Sequence, residues 1–149
     1  MLKKLIFSSV LIASLLAIAL ISKLKKMTIW EALQVDKNEH EKAKVISFAQ
    51  ELPGTIKLSY KDDEESLETT ITDFVLIKEL YDGLSEIRGY DLGRKVKIEQ
   101  QIDFELCFAS EEKLNFSLVQ GDLLLEDRVI TLTHTSRLME TLAGIFDRI

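Results

Sequence analysis

Four side chains in the stretch "QIDFELC" invite a chemical reading: Asp103, Glu105 and Cys107 alternate with apolar neighbours, and Gln101 precedes them on the same parity. On a strand, residues two apart share a face, so this spacing sets two carboxylates and a thiol side by side. Paired carboxylates serve acid–base hydrolysis when one is held protonated and the two flank a cleft. A thiolate nucleophile needs a histidine or a basic group beside it to lower its pKa. The sequence neighbours of Cys107 are acidic and act in the opposite sense, so it reads as an inert thiol. Glu111-Glu112 adds a further carboxylate pair, at a turn.

The two histidines, His40 and His134, lie 94 residues apart and can meet only through the fold. Four adjacent acids, Asp62 to Glu65, suggest calcium, which takes oxygen ligands. The alternating acids and turn glycine of an EF-hand loop are missing, and a solvated hairpin tip is the better reading. There is no glycine-rich phosphate loop, no G-x-S-x-G elbow and no H-E-x-x-H. The sequence therefore nominates no catalytic, cofactor-binding or metal-binding residue and no cofactor. With Cys107 alone, it allows no internal disulfide.

Charge narrows the partners. Five of the 19 basic residues fall in the first 26 positions, which hold no acid. The remainder carries 14 basic against 25 acidic residues, a net charge of −11. Such a domain is repelled by nucleic acid and by anionic lipid surfaces, and a basic protein is the partner its charge suits.

The opening "MLKKLIFSSVLIASLLAIALISKLKK" is a different kind of segment. Leu5 to Ser22 is an apolar run of 18 residues between lysines. As a helix it spans about 27 Å, enough for a nearly upright crossing of a bilayer core about 30 Å thick. It exceeds the usual apolar core of a signal peptide. "AIA" at Ala17 to Ala19 offers a cleavage site, but Leu20 and Ile21 continue the apolar run beyond it. An uncleaved signal-anchor is the leading expectation, and secretion after cleavage near Ala19 is the alternative. Lysines on both sides leave the positive-inside rule nearly silent. The short N-terminal tail favours an extracytoplasmic domain on a single-pass anchor in the cell membrane.

The elements that must position the acids follow from periodicity. Residues 1–26 are read as the signal-anchor, 27–37 as a membrane-proximal linker and 38–149 as one α+β domain. Trp30 suits either an interfacial aromatic or a packing residue. "NEHEKAKVISFAQELPG" reads as a helix capped by Asn38 with Glu41, with Val45, Ile46, Ala49 and Leu52 on one face and Pro53-Gly54 stopping it. Ile56, Leu58, Tyr60 and then Leu67, Thr69, Ile71 alternate as a hairpin. "TDFVLIKELYDGLSEI" is the clearest helix, with Thr72 or Asp73 as cap and Ile77, Leu80, Leu84, Ile87 as its core stripe.

"RGYDLGR" reads as a break. "KVKIEQQIDFELCFASEE" reads as one long strand, or as two with a turn near Glu99-Gln100-Gln101. Two more strands surround Gln120-Gly121-Asp122. "HTSRLMETLAGIFDRI" closes as a helix lined by Leu138, Leu142, Ile145 and Ile149, with Thr135 or Ser136 as cap. A shift of 61 residues superposes two strand–strand–helix segments and pairs Thr72 with Thr133, Glu79 with Glu140 and Gly83 with Gly144. The expected architecture is a mostly antiparallel sheet of about 5–6 strands with helices on one face, in a ββα–ββα arrangement.

The leader Met1 to Lys26 and the run "TTITDFVLIKELYDGL" give the chain a plan that resembles small membrane-anchored proteins of unknown function from Gram-positive bacteria. The resemblance implies a lysine-flanked span followed by a compact α+β domain, and it carries no catalytic residues to transfer. The functional expectation is a membrane-tethered binding or structural domain at the cell envelope. An immunity- or inhibitor-type protein masking a basic partner is the alternative, and a small hydrolase using the acids and His134 comes third.

Overall fold

The computed structural model describes residues 25–149. The apolar run Leu5 to Ser22 lies outside the described residues, and with it the span and the cleavage near Ala19. Among the described residues no helix is long and apolar enough to cross a membrane.

The described chain is α+β. Eight strands form one sheet: β1 (Met27–Thr28), β2 (Thr55–Lys61), β3 (Ser66–Ile71), β4 (Arg88–Arg94), β5 (Gln101–Cys107), β6 (Lys113–Val119), β7 (Asp122–Leu124) and β8 (Val129–Thr133). Their order across the sheet is β1-β4-β8-β7-β6-β5-β2-β3, and every pairing is antiparallel. Four helices accompany it: α1 (Ile29–Ala32), α2 (Glu39–Phe48), α3 (Phe74–Glu86) and α4 (Ser136–Phe146).

One parity of the sheet is apolar. Leu58, Phe104 and Phe116 lie opposite one another across β2, β5 and β6, with the two phenylalanine rings stacked at 4.6 Å. These residues share a single core with side chains from all four helices. The other parity carries Lys57, Ser59, Asp103, Glu105, Asn115 and Ser117, as the period-two rule requires of a sheet covered on one face.

The helices obey their local signals with corrections. In α3, Asp73 accepts the Val75 N–H at 2.8 Å, and Ile77, Leu80, Leu84 and Ile87 are all buried. In α2, Asn38 accepts the Glu41 N–H at 2.9 Å. Its buried pair is Val45 and Phe48, whereas Ile46 is 49% exposed. Phe48 stacks on Phe108 at 4.4 Å, and that contact orients the helix. In α4, Leu138, Leu142 and Ile145 are buried together with Met139 and Phe146, while Ile149 is 59% exposed beyond the last turn. Thr135 occupies the cap position of α4 without a side-chain hydrogen bond to the helix.

Three departures in the sheet have physical causes. "RGYDLGR" is strand β4 and no break. A Cβ on Gly89 would lie 3.0 Å from Ile130 Cγ2, so this glycine serves close strand packing. Residues 95–100 form a loop, and the strand begins only at Gln101. The segment after β6 holds two strands, β7 and β8. Gln120 and Gly121, at φ 46° and 83°, make the tight β6–β7 turn that mirror-image hairpins require. The superposed segments therefore differ: the first is β2-β3-α3 and the second is β6-β7-β8-α4.

The stretch expected as a linker is built into the body. Met27 and Thr28 pair with Gly89 and Arg88. Thr28 and Glu31 form a reciprocal capping box, with N–H contacts of 3.0 and 3.1 Å. Ile29 and Ala32 are fully buried. Trp30 lies against Tyr81, ring centroids 5.5 Å apart, and is a packing residue.

Candidate functional site

The polar face of the sheet holds a groove of about 440 Å³ lined by residues of β3, β2, β5 and β6 and by Leu124 of β7. Pairing register brings its walls together: Glu68 opposite Ser59, Ser59 opposite Asp103, and Asp103 opposite Ser117. The acids singled out by their spacing, Asp103 and Glu105, both line it. Glu111 and Glu112, on the β5–β6 turn, do not.

Each acid has a partner. Asp103 Oδ1 accepts from Ser117 Oγ at 2.5 Å and from Gln101 Nε2 at 2.6 Å. Glu105 lies 3.0 Å from Lys113 Nζ, and the Lys113 hydrogen bond holds its carboxyl below the usual range. Glu68 lies 3.2 Å from Lys57. A general acid needs a carboxyl raised by its surroundings, and Glu105 is shifted the other way. The groove thus sets three carboxylates beside their own lysine, serine and glutamine partners, with Lys57 itself in the lining.

Cys107 stands beside it on β5, its Sγ 3.6 Å from Glu105 Oε1. Burial, then the Glu105 charge, pushes the thiol up, which keeps it protonated and poorly nucleophilic. The hairpin tip is also explained by structure. Asp62 Oδ1 accepts the Glu64 and Glu65 N–H groups at 2.8 Å, and Asp62 Oδ2 accepts from Tyr60 at 2.6 Å. The Tyr60 bond is the main reason that the Asp62 pKa is lowered. Among the described residues no cluster of three His, Cys, Asp or Glu side chains is placed to hold a metal.

The structure does not bring the histidines to the acids. His134, at φ 58°, lies in a separate cleft of about 370 Å³ with Glu86, Arg88, Ser136 and Arg137. It follows directly on β8, which is three strands from β5, about 14 Å at the usual spacing. His40 is exposed on the first turn of α2. The arginines of the His134 cleft serve the framework. Arg137 bridges to Glu86 and Glu79 on α3 at 2.9 and 3.4 Å. Arg88 donates to the Ser85 and Ile87 carbonyls at the end of α3.

Two charged clusters had no sequence signal. Asp122 is 3% exposed; it accepts from Arg94 at 3.1 Å and from the Leu132 N–H at 3.1 Å. Burial raises its pKa against both of those contacts. Arg128 is clasped by Asp91, Asp36 and Asp127 at 2.8–2.9 Å. These partners lie 37 and 92 residues away in two of three cases, so no local pattern announces them. A scan against protein-family models, a search of curated proteins and a search of solved structures each return no match.

Proposed function

We propose that this chain is a single-pass, membrane-tethered binding domain at the cell envelope, with the uncovered sheet face as its binding surface. One observation carries the reading: the groove at Glu68, Asp103 and Glu105 presents partnered carboxylates on a face that none of the described helices covers. The net charge of −11 beyond the leader favours a basic protein surface as occupant. No catalytic role is assigned. The lysine-flanked run Leu5 to Ser22 supports the tether, and the short N-terminal tail supports an extracytoplasmic domain.

The same charge supports a second reading, an immunity- or inhibitor-type protein that masks a basic partner. Carbonate washing of membranes tests the tether, because release of the full-length chain would remove it. A photo-crosslinker at Asn115 tests the face. Adducts are expected from Asn115 and not from His40 on α2, and Asp103→Lys with Glu105→Lys is expected to abolish them. Equal crosslinking from both positions would sink the assignment of the groove.

A further inference from the structure

Strand β3 ends the sheet on the side of the groove, and among the described residues its outer edge has no neighbouring strand. The opposite edge, β1, is only two residues long. Strand β3 runs for six residues in unbroken register with β2, with no bulge, no proline and no lysine, the usual devices that blunt an edge. The Asp62 N–H donates to the Glu65 carbonyl at 3.0 Å, so 62 and 65 are a hydrogen-bonded pair and the alternation along the hairpin is fixed. Leu67, Thr69 and Ile71 therefore bond to β2. Ser66, Glu68 and Thr70 turn their N–H and C=O groups outward, where no described residue bonds to them.

Charge and apolar surface both gather at this edge. Residues 55–75 hold two lysines and six acids, a net charge of −4. Lys57 is taken by Glu68 at 3.2 Å. Asp62 is held by Tyr60 and the tip amides, and Asp73 caps α3. That leaves Asp63, Glu64 and Glu65, all exposed, against Lys61 alone. Phe74 and Val75, three and four residues beyond β3, are 64% and 67% exposed, more than any other large apolar residue described.

We propose that the β3 edge takes an extended segment of a partner protein as a further strand, one in which basic and apolar side chains alternate. In such an addition the main-chain bonds give affinity and alternate side chains select the segment. Side chains of the added strand fall level with those of β3. Those level with Leu67 and Ile71 continue the core face and run on towards Phe74 and Val75, so apolar residues suit them. Those level with Glu68 stand at the rim of the groove in a negative field, so lysine or arginine suits them. A second copy of this chain brings the same acids to the joint. Paired antiparallel about Glu68 it sets the two Glu68 side chains opposite each other, and about Thr69 it sets Glu65 opposite Asp73. Like charges so placed repel.

The inference rests on the reading of the uncovered face as a surface for a basic protein, and the test separates the two. The full-length chain in zwitterionic micelles is mixed with a capped peptide of alternating lysine and valine, and amide exchange is read by NMR. Without peptide, Ser66, Glu68 and Thr70 should exchange freely, and Leu67, Thr69 and Ile71 slowly. Peptide at about nine times its Kd should slow the first three about tenfold. The same peptide methylated on its backbone nitrogens should leave them free, and so should one of alternating glutamate and valine. Thr70→Pro removes an outward N–H that β2 does not use, and should weaken binding about tenfold or more. Peptide-induced shifts at Asp103 and Asn115, with Ser66, Glu68 and Thr70 still exchanging freely, overturn this inference and leave the groove reading standing. Equal protection by the glutamate peptide overturns the basic occupant. Slow exchange at the three amides before peptide is added, growing with protein concentration, gives the edge to a second copy and overturns the inference too. No response at either place overturns both readings.

Discussion

The Arg128 guanidinium grips the Asp91 carboxylate with two nitrogens: Nε lies 3.0 and 3.1 Å from its oxygens and Nη2 lies 2.8 Å from Oδ2. This fork ties β4 to the β7–β8 loop, and the Nη1 bond to Asp36 at 2.9 Å adds the turn after α1. The Arg128 hydrogen bond holds the Asp91 carboxyl below the usual range. A carboxyl lowered in the folded state stabilises above its unfolded pKa, and that stability fades as pH falls through the folded value. Arg128→Ala should therefore lower Tm by several degrees at neutral pH and flatten the Asp91 share of the acid limb. Arg128→Lys should recover only part, because an ammonium cannot fork. Thermal unfolding from about pH 3 to 7, with an NMR titration of Asp91, checks both. An unchanged Asp91 titration in Arg128→Ala would contradict the assignment.

Asp122 has the opposite sign. Burial holds its pKa above the ordinary carboxyl value, so the folded state takes up a proton more readily than the unfolded chain. Its contribution to stability declines as pH rises from the unfolded value through the raised one. Asp122→Asn keeps an acceptor for the Leu132 N–H and should lose this slope. Asp122→Ala takes the side-chain acceptor from that N–H and leaves Arg94 only its Thr131 Oγ1 contact, and should cost about 2–3 kcal/mol. Urea unfolding at several pH values distinguishes the two variants.

Gly83 and Gly144, paired by the 61-residue offset, should respond in opposite directions to alanine. A Cβ at Gly83 would meet Leu138 Cα at 3.1 Å and Leu138 N at 3.2 Å, which are backbone atoms of the facing helix. A Cβ at Gly144 meets nothing within 4 Å. Gly83→Ala should lose about 1 kcal/mol net, with overpacking outweighing the gain in helix propensity. Gly144→Ala should gain about 0.5–1 kcal/mol. Denaturant midpoints that move the same way would refute the helix contact as described.

Tyr81 donates its hydroxyl to the Ala49 carbonyl at the end of α2, and its ring lies against Trp30. It thereby joins α2 and α1 to α3. Tyr81→Phe should cost about 1 kcal/mol. The loss should appear first as faster amide exchange in α2, with α3 protected as before. Uniform exchange across both helices would show that the bond has no local role.

Local period made some of this readable from sequence, and long-range pairing hid the rest. The α3 stripe from Ile77 to Ile87 and the alternation of β2, β5 and β6 are repeated signals, and each places its side chains as expected. Strand β1 has two residues and no period. Strand β4 carries Gly89 for packing, which looks like a breaker. Val96 and Ile98 continue a strand alternation, but the Gln120 side chain takes over the backbone partners of that segment and holds it as a loop. For the candidate site, period two put Asp103 and Glu105 on one face. Their neighbours Ser117, Ser59 and Glu68 arrive by strand register, and no short window encodes that register.

The two-residue strand β1 has a mechanical consequence. Any pull along the N-terminal segment reaches the domain at Met27, where only two ladder pairs hold the chain to β4. The load then passes to the Thr28–Glu31 box and the buried Ile29, and next to Asp36 in the Arg128 clasp. Yield is therefore graded. The first few residues peel under a small force, and the remaining seven strands stay shut until the clasp gives way.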